Sequence, residues 1–127
     1  MTRQDQIDLV ARYFAGVDGQ DLGAVLETLT PDVVFTVPTH GVRVTGHDGV
    51  SGMLNRLWRN HAAVRHTDFT HVCDPEAGRV AARFRVESTE HDGSVTTKFN
   101  CNFFDMRDGR FSAVAVYMAG ANTLDAG

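Results

Sequence analysis

Residues 11–46 read ARYFAGVDGQDLGAVLETLTPDVVFTVPTHGVRVTG, and the punctuation of this stretch decides the fold. Ile7, Val10, Tyr13, Phe14 and Val17 recur at steps of three and four, the period of one helical face, with Leu9 at its edge. Thr2 and Asp5 ahead of them have the spacing of a capping pair. Asp18–Gly19 breaks the run. A second, shorter helix is predicted from about Asp21, with Leu22, Val25, Leu26 and Leu29 on its apolar stripe and Pro31 as its stop. The β-branched and aromatic run 33–37 reads as a strand ending at Pro38, and the alternating run 42–45 as its short partner across a turn containing His40 and Gly41. This order predicts a small conical domain around one enclosed pocket, with Tyr13 buried in its first helix.

Working outward, a third helix is predicted from about His47 to His61. Asp48 lies in its first turn, and Val50, Met53, Leu54, Leu57, Trp58 and His61 lie along the side that faces the core. From residue 64 the period changes. Residues 64–73, 79–90, 94–106 and 110–118 read as long strands separated by DPEAG, HDG and RDG, each with turn chemistry. Helices first and an antiparallel meander afterwards give an α+β class: a curved antiparallel sheet wrapped around three N-terminal helices. The whole chain, 1–127, reads as a single domain, with 119–127 as a loosely held tail.

Composition narrows the classes of function. With 127 residues, 43% of them hydrophobic, the chain can bury one core and is too short for two. The net charge of −4, with both signs scattered, lacks the basic stripe of a nucleic-acid binder. Arg56, Arg59 and Arg65 read as a solvated helix end that answers the helix dipole. No run has the length of about 18 apolar residues that spans a bilayer, and the N-terminus lacks the apolar core of a signal peptide, so a cytoplasmic protein is expected. Cys73 and Cys101 form neither a close metal-type pair nor a disulfide framework, and both are expected reduced and buried.

Three stretches carry a resemblance to a known superfamily: RYFAGVDGQDLGAVLETLTPDVVF at 12–35, VRVTGHDGV at 42–50 and CNFFDMRDGRFSAVAVYM at 101–118. Over about residues 5–120 the chain resembles the nuclear transport factor 2-like superfamily, in particular its ketosteroid isomerase and SnoaL-like polyketide cyclase branches. The resemblance implies a cone whose helices close the mouth of a bent sheet, an apolar cavity, and an outer sheet face that often forms a homodimer. In the isomerases a helix Tyr and a protonated Asp hydrogen-bond a developing enolate while a second Asp moves the proton. The Tyr matches Tyr13 and the donor Asp matches Asn102. The proton-moving Asp falls at Val37, and the strand positions that carry a His or Asp in many cyclases fall at Val114 and Val116. The usual bases are therefore missing.

The residues themselves supply candidates. Tyr13 is a buried phenol in need of a partner, and Asn102 is an amide amid good core, costly unless bonded. It faces either the cavity or a dimer partner. By strand parity Lys98, Asn100, Asn102 and Phe104 share one face and Thr97, Phe99, Cys101 and Phe103 the other; Arg83, Arg85, Glu87 and Thr89 alternate with Ala82, Phe84, Val86 and Ser88. The expectation is that the polar set lines the cavity and that a second subunit covers Phe84, Val86, Phe99, Cys101 and Phe103. Arg85 and Glu87 would then face the pocket, with Glu87 as a replacement base or as half of a structural ion pair. His40, in the loop after Pro38, is the first choice of general base because imidazole titrates nearest neutrality. His61 would cap the pocket mouth or end its helix, His66 and Asp68 could form an oriented pair on one strand face with His71 opposite, and His47 and His91 read as surface residues. The spacing of His61, His66 and His71 does not match metal-ligand patterns, and no metal or cofactor is expected.

The resulting expectation is a homodimeric, cofactor-independent enzyme that isomerises, cyclises or dehydrates an apolar polycyclic or polyketide-like molecule. Tyr13 and Asn102 would hold the carbonyl oxygen and His40 or Glu87 would move the proton. Phe35, Val37, Met53, Leu57, Trp58, His61, Arg85, Phe104, Val114, Val116 and Met118 would line or rim the cavity. The alternative is a module of the same fold that binds a small molecule without transforming it.

Overall fold

A computed structural model describes residues 1–125. Helix α1 spans Arg3–Asp18 and opens with a complete capping box: the Thr2 hydroxyl accepts from the Asp5 amide at 3.1 Å, and the Asp5 carboxylate accepts from the Thr2 amide at 2.9 Å. Leu9, Val10, Tyr13, Phe14 and Val17 are buried on its inner face. Helix α2, Leu22–Glu27, is shorter than its apolar stripe suggested. It ends before Pro31 because Leu29 already belongs to strand β1, Leu29–Val37, where it pairs with Phe111. Pro31 sits where that pairing is interrupted, so its missing N–H costs the ladder nothing.

A 3-10 turn, Pro38–His40, leads through Gly41 at φ 66° into β2, Val42–Thr45. Helix α3 follows over Gly46–Asn60, then β3 (Ala63–Asp74), β4 (Arg79–Thr89), β5 (Val95–Arg107) and β6 (Arg110–Tyr117). The sheet runs β2-β1-β6-β5-β4-β3. Only its β1–β6 contact is parallel, a feature the expected antiparallel meander did not contain; the other neighbours are antiparallel. The fold is α+β, a curved, unclosed sheet with the helices on its concave side.

Register settles which residues face inward. Phe84 lies opposite Asn100 and Ala82 opposite Asn102, and directly opposed residues share a face. Asn100, Asn102 and Phe104 are buried, as are Ala82, Phe84, Val86 and Ser88, so the inner face mixes amides of β5 with apolar residues of β4. The expected grouping of Arg85 and Glu87 with Asn102 is therefore corrected. Arg85 lies opposite Phe99 on the outer face and pairs there with Glu87 at 2.9 Å. Phe84 and Val86 are core, whereas Phe99 and Phe103 are 64% and 44% exposed and Cys101 is half-buried.

Strand β3 carries a bulge between Thr67 and Thr70, where Asp68 takes φ 59°. The extra residue inverts parity beyond it. His66, opposite Val86, and His71, opposite Ala82, consequently share the inner face, against the parity expected of an unbroken strand. Both cysteines are free and half-buried. Residues 119–125 of the tail have no regular structure and are contacted by side chains from three elements. Residues 126 and 127, also assigned to that tail, lie outside the described residues. Among the described residues no helix is long and apolar enough to cross a membrane.

Candidate active site

The inner face of the sheet, α1 and α3 enclose a cavity. Its walls include Tyr13, Phe14 and Val17 of α1, Phe35 of β1, Leu54 of α3, Val64 and His66 of β3, Phe84, Val86 and Ser88 of β4, Asn100 and Asn102 of β5, and Val116 and Met118 at the end of β6. Thr123 and Leu124 of the tail complete them. Tyr13, Phe14, Phe35, His66 and Phe84 supply the aromatic part of the wall. Phe14 packs against Tyr13, His66, Phe69, Phe84 and Phe104 with centroids 4.6–6.3 Å apart.

Tyr13 is 3% exposed, and its ring meets Phe14, Phe104 and Phe111 edge-on. Burial pushes its phenol pKa well above the ordinary value, because the phenolate would lose its hydration without gaining a cation. Tyr13 is therefore held as a neutral donor. Asn102 is 2% exposed, and its side-chain oxygen is buried with no partner among the described residues. An enclosed amide acceptor without a partner is costly, so the position suits a ligand or water that donates to it. Asn100, by contrast, is committed: its oxygen accepts from the Ala119 amide at 3.1 Å.

The titratable centre of the cavity is His66. The Asp18 carboxylate, at the end of α1, accepts from the His66 backbone amide at 2.8 Å through one oxygen and contacts Nδ1 at 2.5 Å through the other. With the Nδ1 proton directed at Asp18, Nε2 carries the lone pair, and it has no hydrogen-bond partner among the described residues. The ring packs against Phe14 at 4.6 Å and Phe84 at 5.3 Å, which also touch each other at 4.7 Å, so the three rings form a triangle that restrains its plane. Asp18 is fixed in turn by α3: Trp58 Nε1 donates to the Val17 carbonyl at 3.0 Å, one residue earlier.

The structure thus brings together Tyr13, Asn102, Phe35, Val116 and Met118 of the expected site. Val37, Met53, Leu57, Phe104 and Val114 are buried core residues outside the cavity wall. His40 is exposed, with Nε2 against the Gly120 carbonyl at 3.1 Å and Nδ1 against the Thr39 hydroxyl at 3.0 Å. His61 pairs with Glu90 at 2.8 Å at the end of α3. His47 is half-buried rather than superficial, bonded to the Leu29 carbonyl at 3.1 Å. Glu87 and Arg85 are on the opposite side of the sheet from the cavity. His66 was visible as an oriented histidine, but its partner is Asp18 and not Asp68, because the bulge at Asp68 breaks the shared face. Among the described residues, no three His, Cys, Asp or Glu side chains are grouped so as to hold a metal ion.

Residues 10–114 match the SnoaL-like domain, and the chain belongs to that family. Comparison with curated proteins finds no match. Among solved structures, a candidate polyketide cyclase from Xanthomonas campestris pv. campestris is 26% identical, with a TM-score of 0.83 over 91% of this chain and 90% of that one. TerC co-crystallised with polyporic acid is 20% identical, with a TM-score of 0.78 over 91% and 92%. A protein of ketosteroid isomerase-like fold from Catenulispora acidiphila, in complex with trimethylamine, is 14% identical, with a TM-score of 0.79 over 91% and 88%. At such identities the last two establish the fold alone.

Proposed function

We propose that this chain is a cofactor-independent isomerase, cyclase or dehydratase acting on a small, largely apolar polycyclic or polyketide-like carbonyl compound. The observation that carries the reading is the Asp18–His66 pair, whose ring opens onto the same cavity as Tyr13 and Asn102. His66 Nε2 takes a proton from the carbon beside the carbonyl. The electron pair moves onto the carbonyl oxygen, and the enolate accepts hydrogen bonds from the Tyr13 hydroxyl and the Asn102 side-chain NH₂, while the Asn102 oxygen accepts from a hydroxyl of the ligand or a water. The imidazolium, stabilised by Asp18, then returns the proton to another carbon in an isomerisation. In a dehydration it gives the proton to a departing hydroxyl, and in a cyclisation the enolate carbon attacks a second carbonyl whose oxygen receives the proton.

The base in this scheme is His66, in place of His40 or Glu87, because it alone of the three borders the cavity. The solved neighbours that hold polyporic acid and trimethylamine support a small organic molecule as the cavity's occupant. A homodimer through the outer face of the sheet completes the proposal. Apart from Met1, the exposed large hydrophobic residues, Val72, Val95, Phe99, Phe103 and Tyr117, all occupy that face.

The test is turnover of enone and polyketide carbonyl compounds by wild type and by His66→Gln, Asp18→Asn, Tyr13→Phe and Asn102→Leu, with Glu87→Gln as a control expected at wild-type level. Undiminished turnover in all four site variants removes the assignment. A second reading, a non-catalytic binding module, is favoured by the buried valines at 37, 114 and 116, the positions at which the family resemblance implies bases. An intact apolar molecule that co-purifies and is returned unchanged after long incubation decides for it.

A further inference from the structure

The free space among Tyr13, His66 and Asn102 is about 40 Å³. That admits a few water molecules, whereas sites for drug-sized ligands run to about 300–1,000 Å³. One wall has to move before a carbonyl compound enters. The sheet, α1 and α3 are regular structure, so displacing them breaks backbone ladders. The wall made by Thr123 and Leu124 belongs to the irregular segment 119–125, which is held mainly by side chains. His40 Nε2 contacts the Gly120 carbonyl, Lys98 Nζ donates to the Ala121 carbonyl, and Arg56 Nε donates to the Asp125 carbonyl at 3.0 Å. The Asn122 side chain closes a local turn on Leu124 through two bonds of 2.9 Å.

Lys98 is the informative anchor. It lies on the inner face of β5, one step beyond Asn100 along that face and opposite Val86, so it stands at the mouth of the cavity. Its hydrogen-bond acceptor is a neutral carbonyl of the tail, and it makes no ion pair among the described residues. Partial burial lowers its pKa, as expected of an ammonium that has lost water without gaining an anion.

We propose that Lys98 is the anchor for a carboxylate on the ligand, and that this carboxylate takes the place of the Ala121 carbonyl as segment 119–125 swings away. The inference rests on the small-molecule cavity proposed above and names the class of compound: an apolar ring system bearing one acidic group. The ammonium–carbonyl bond is already charge-assisted, but a carboxylate adds a full opposite charge that the carbonyl lacks, so the exchange favours the open, liganded state. The rings take the place of Leu124 in the wall it shares with Phe14, Phe35 and Phe84.

The experiment is a fluorescence titration of the full chain with anthracene-9-carboxylate and with the neutral anthracene-9-carboxamide, using wild type, Lys98→Met and Leu124→Ala. Methyl NMR of Leu124 follows the segment. The carboxylate is expected to bind wild type at least tenfold more tightly than the carboxamide and to shift the Leu124 methyl resonances. Lys98→Met removes the discrimination between the two probes, and Leu124→Ala tightens both severalfold. Equal affinities in wild type, or discrimination that survives Lys98→Met, overturns the Lys98 anchor while leaving the cavity reading intact. Failure of both probes to bind even Leu124→Ala overturns the anchor and the cavity reading together.

Discussion

The indole of Trp58 donates to the carbonyl of Val17 at 3.0 Å, so α3 grips the last turn of α1 one residue before the carboxylate that orients His66. The end of a helix is where carbonyls lack an intrahelical partner, and a buried one left unpaired is costly. The Val17 carbonyl already accepts from the Gln20 amide at 3.2 Å, and Trp58 adds a second bond from a neighbouring helix. The chain of contacts runs Trp58, Val17, Asp18, His66, and it links packing between helices to the orientation of one imidazole.

Replacing Trp58 with Phe keeps most of the apolar contact and deletes the indole donor. The expected cost in stability is about 0.5–1.5 kcal/mol, that of one hydrogen bond. Turnover should fall further than this modest destabilisation implies, because Asp18 loses its support. The ¹⁵N and ¹H signals of the His66 ring are the direct readout: the Nδ1 proton should exchange faster than in wild type. An unchanged Nδ1 signal with reduced turnover would refute this positioning role.

Asp18→Asn separates orientation from charge. The amide can still meet the His66 backbone and ring, yet it no longer stabilises an imidazolium and can present its NH₂ to Nδ1, which turns the lone pair away from the cavity. A loss of order 10²–10⁴ in kcat is expected, the usual worth of a positioned acid–base group. Thermal unfolding should drop by the equivalent of about 1–3 kcal/mol as a charge-assisted bond is lost.

These two variants address residues that were unevenly legible in the sequence. Tyr13 and Asn102 were accessible because each is a polar group on an otherwise apolar periodic face, and the bounds of β2 and the four long strands followed from period two and turn residues. Asp18 looked like a helix breaker, and nothing local to it announces a histidine 48 positions away. Alternation does not reveal the place of Asp68, because the bulge there depends on a left-handed backbone at a residue other than glycine. Glu87 and Arg85 were misplaced because the parity of β4 was set separately from that of β5, whereas Phe84 opposite Asn100 ties the two together. Pro31 was read as a helix stop when it marks a gap in strand pairing.

Tyr13 makes alkaline stability diagnostic. Its folded-state pKa is raised above the ordinary value of 10.0 by burial. The folded protein therefore keeps a proton that the unfolded chain releases, and stability is full below about pH 10 and declines as the pH rises beyond it. The slope assigned to this group approaches about 1.4 kcal/mol per pH unit. Urea unfolding of wild type and Tyr13→Phe at several values from pH 9 to 11 isolates it, since the half-exposed Tyr117 and every Lys and Arg are common to both. The phenylalanine variant should lose less stability across that range, and parallel curves would contradict the buried, uncompensated phenol.

Gly16 is where α1 and α2 touch. A Cβ built there would lie 2.8 Å from Val25 Cγ2 and 3.0 Å from the Val25 backbone nitrogen. Val25 is fully buried and its backbone cannot rotate away. Alanine improves helix propensity by roughly 0.5–1 kcal/mol, but overpacking against backbone costs about 1–3 kcal/mol. The clash wins, and Gly16→Ala should lower the melting temperature. An equal or higher melting temperature would mean that α2 can shift freely on α1.

The outer face of the sheet tests the proposed assembly. Strands β3 to β6, spaced by about 4.8 Å with a rise of about 3.3 Å per residue, present a rectangle of roughly 700 Å². That is close to the ~800 Å² per partner of a standard interface. Its ion pairs, Arg79–Asp105 and Arg85–Glu87, close within the chain, while Phe99, Phe103 and Tyr117 await apolar cover. Light scattering should give twice the 13.9 kDa chain mass for wild type. The double substitution Phe99→Thr and Phe103→Thr keeps β-branched residues on the strand and removes the rings, so a folded monomer is expected. A wild-type monomer at about 100 μM, where an interface of even micromolar affinity is saturated, would rule out this dimer.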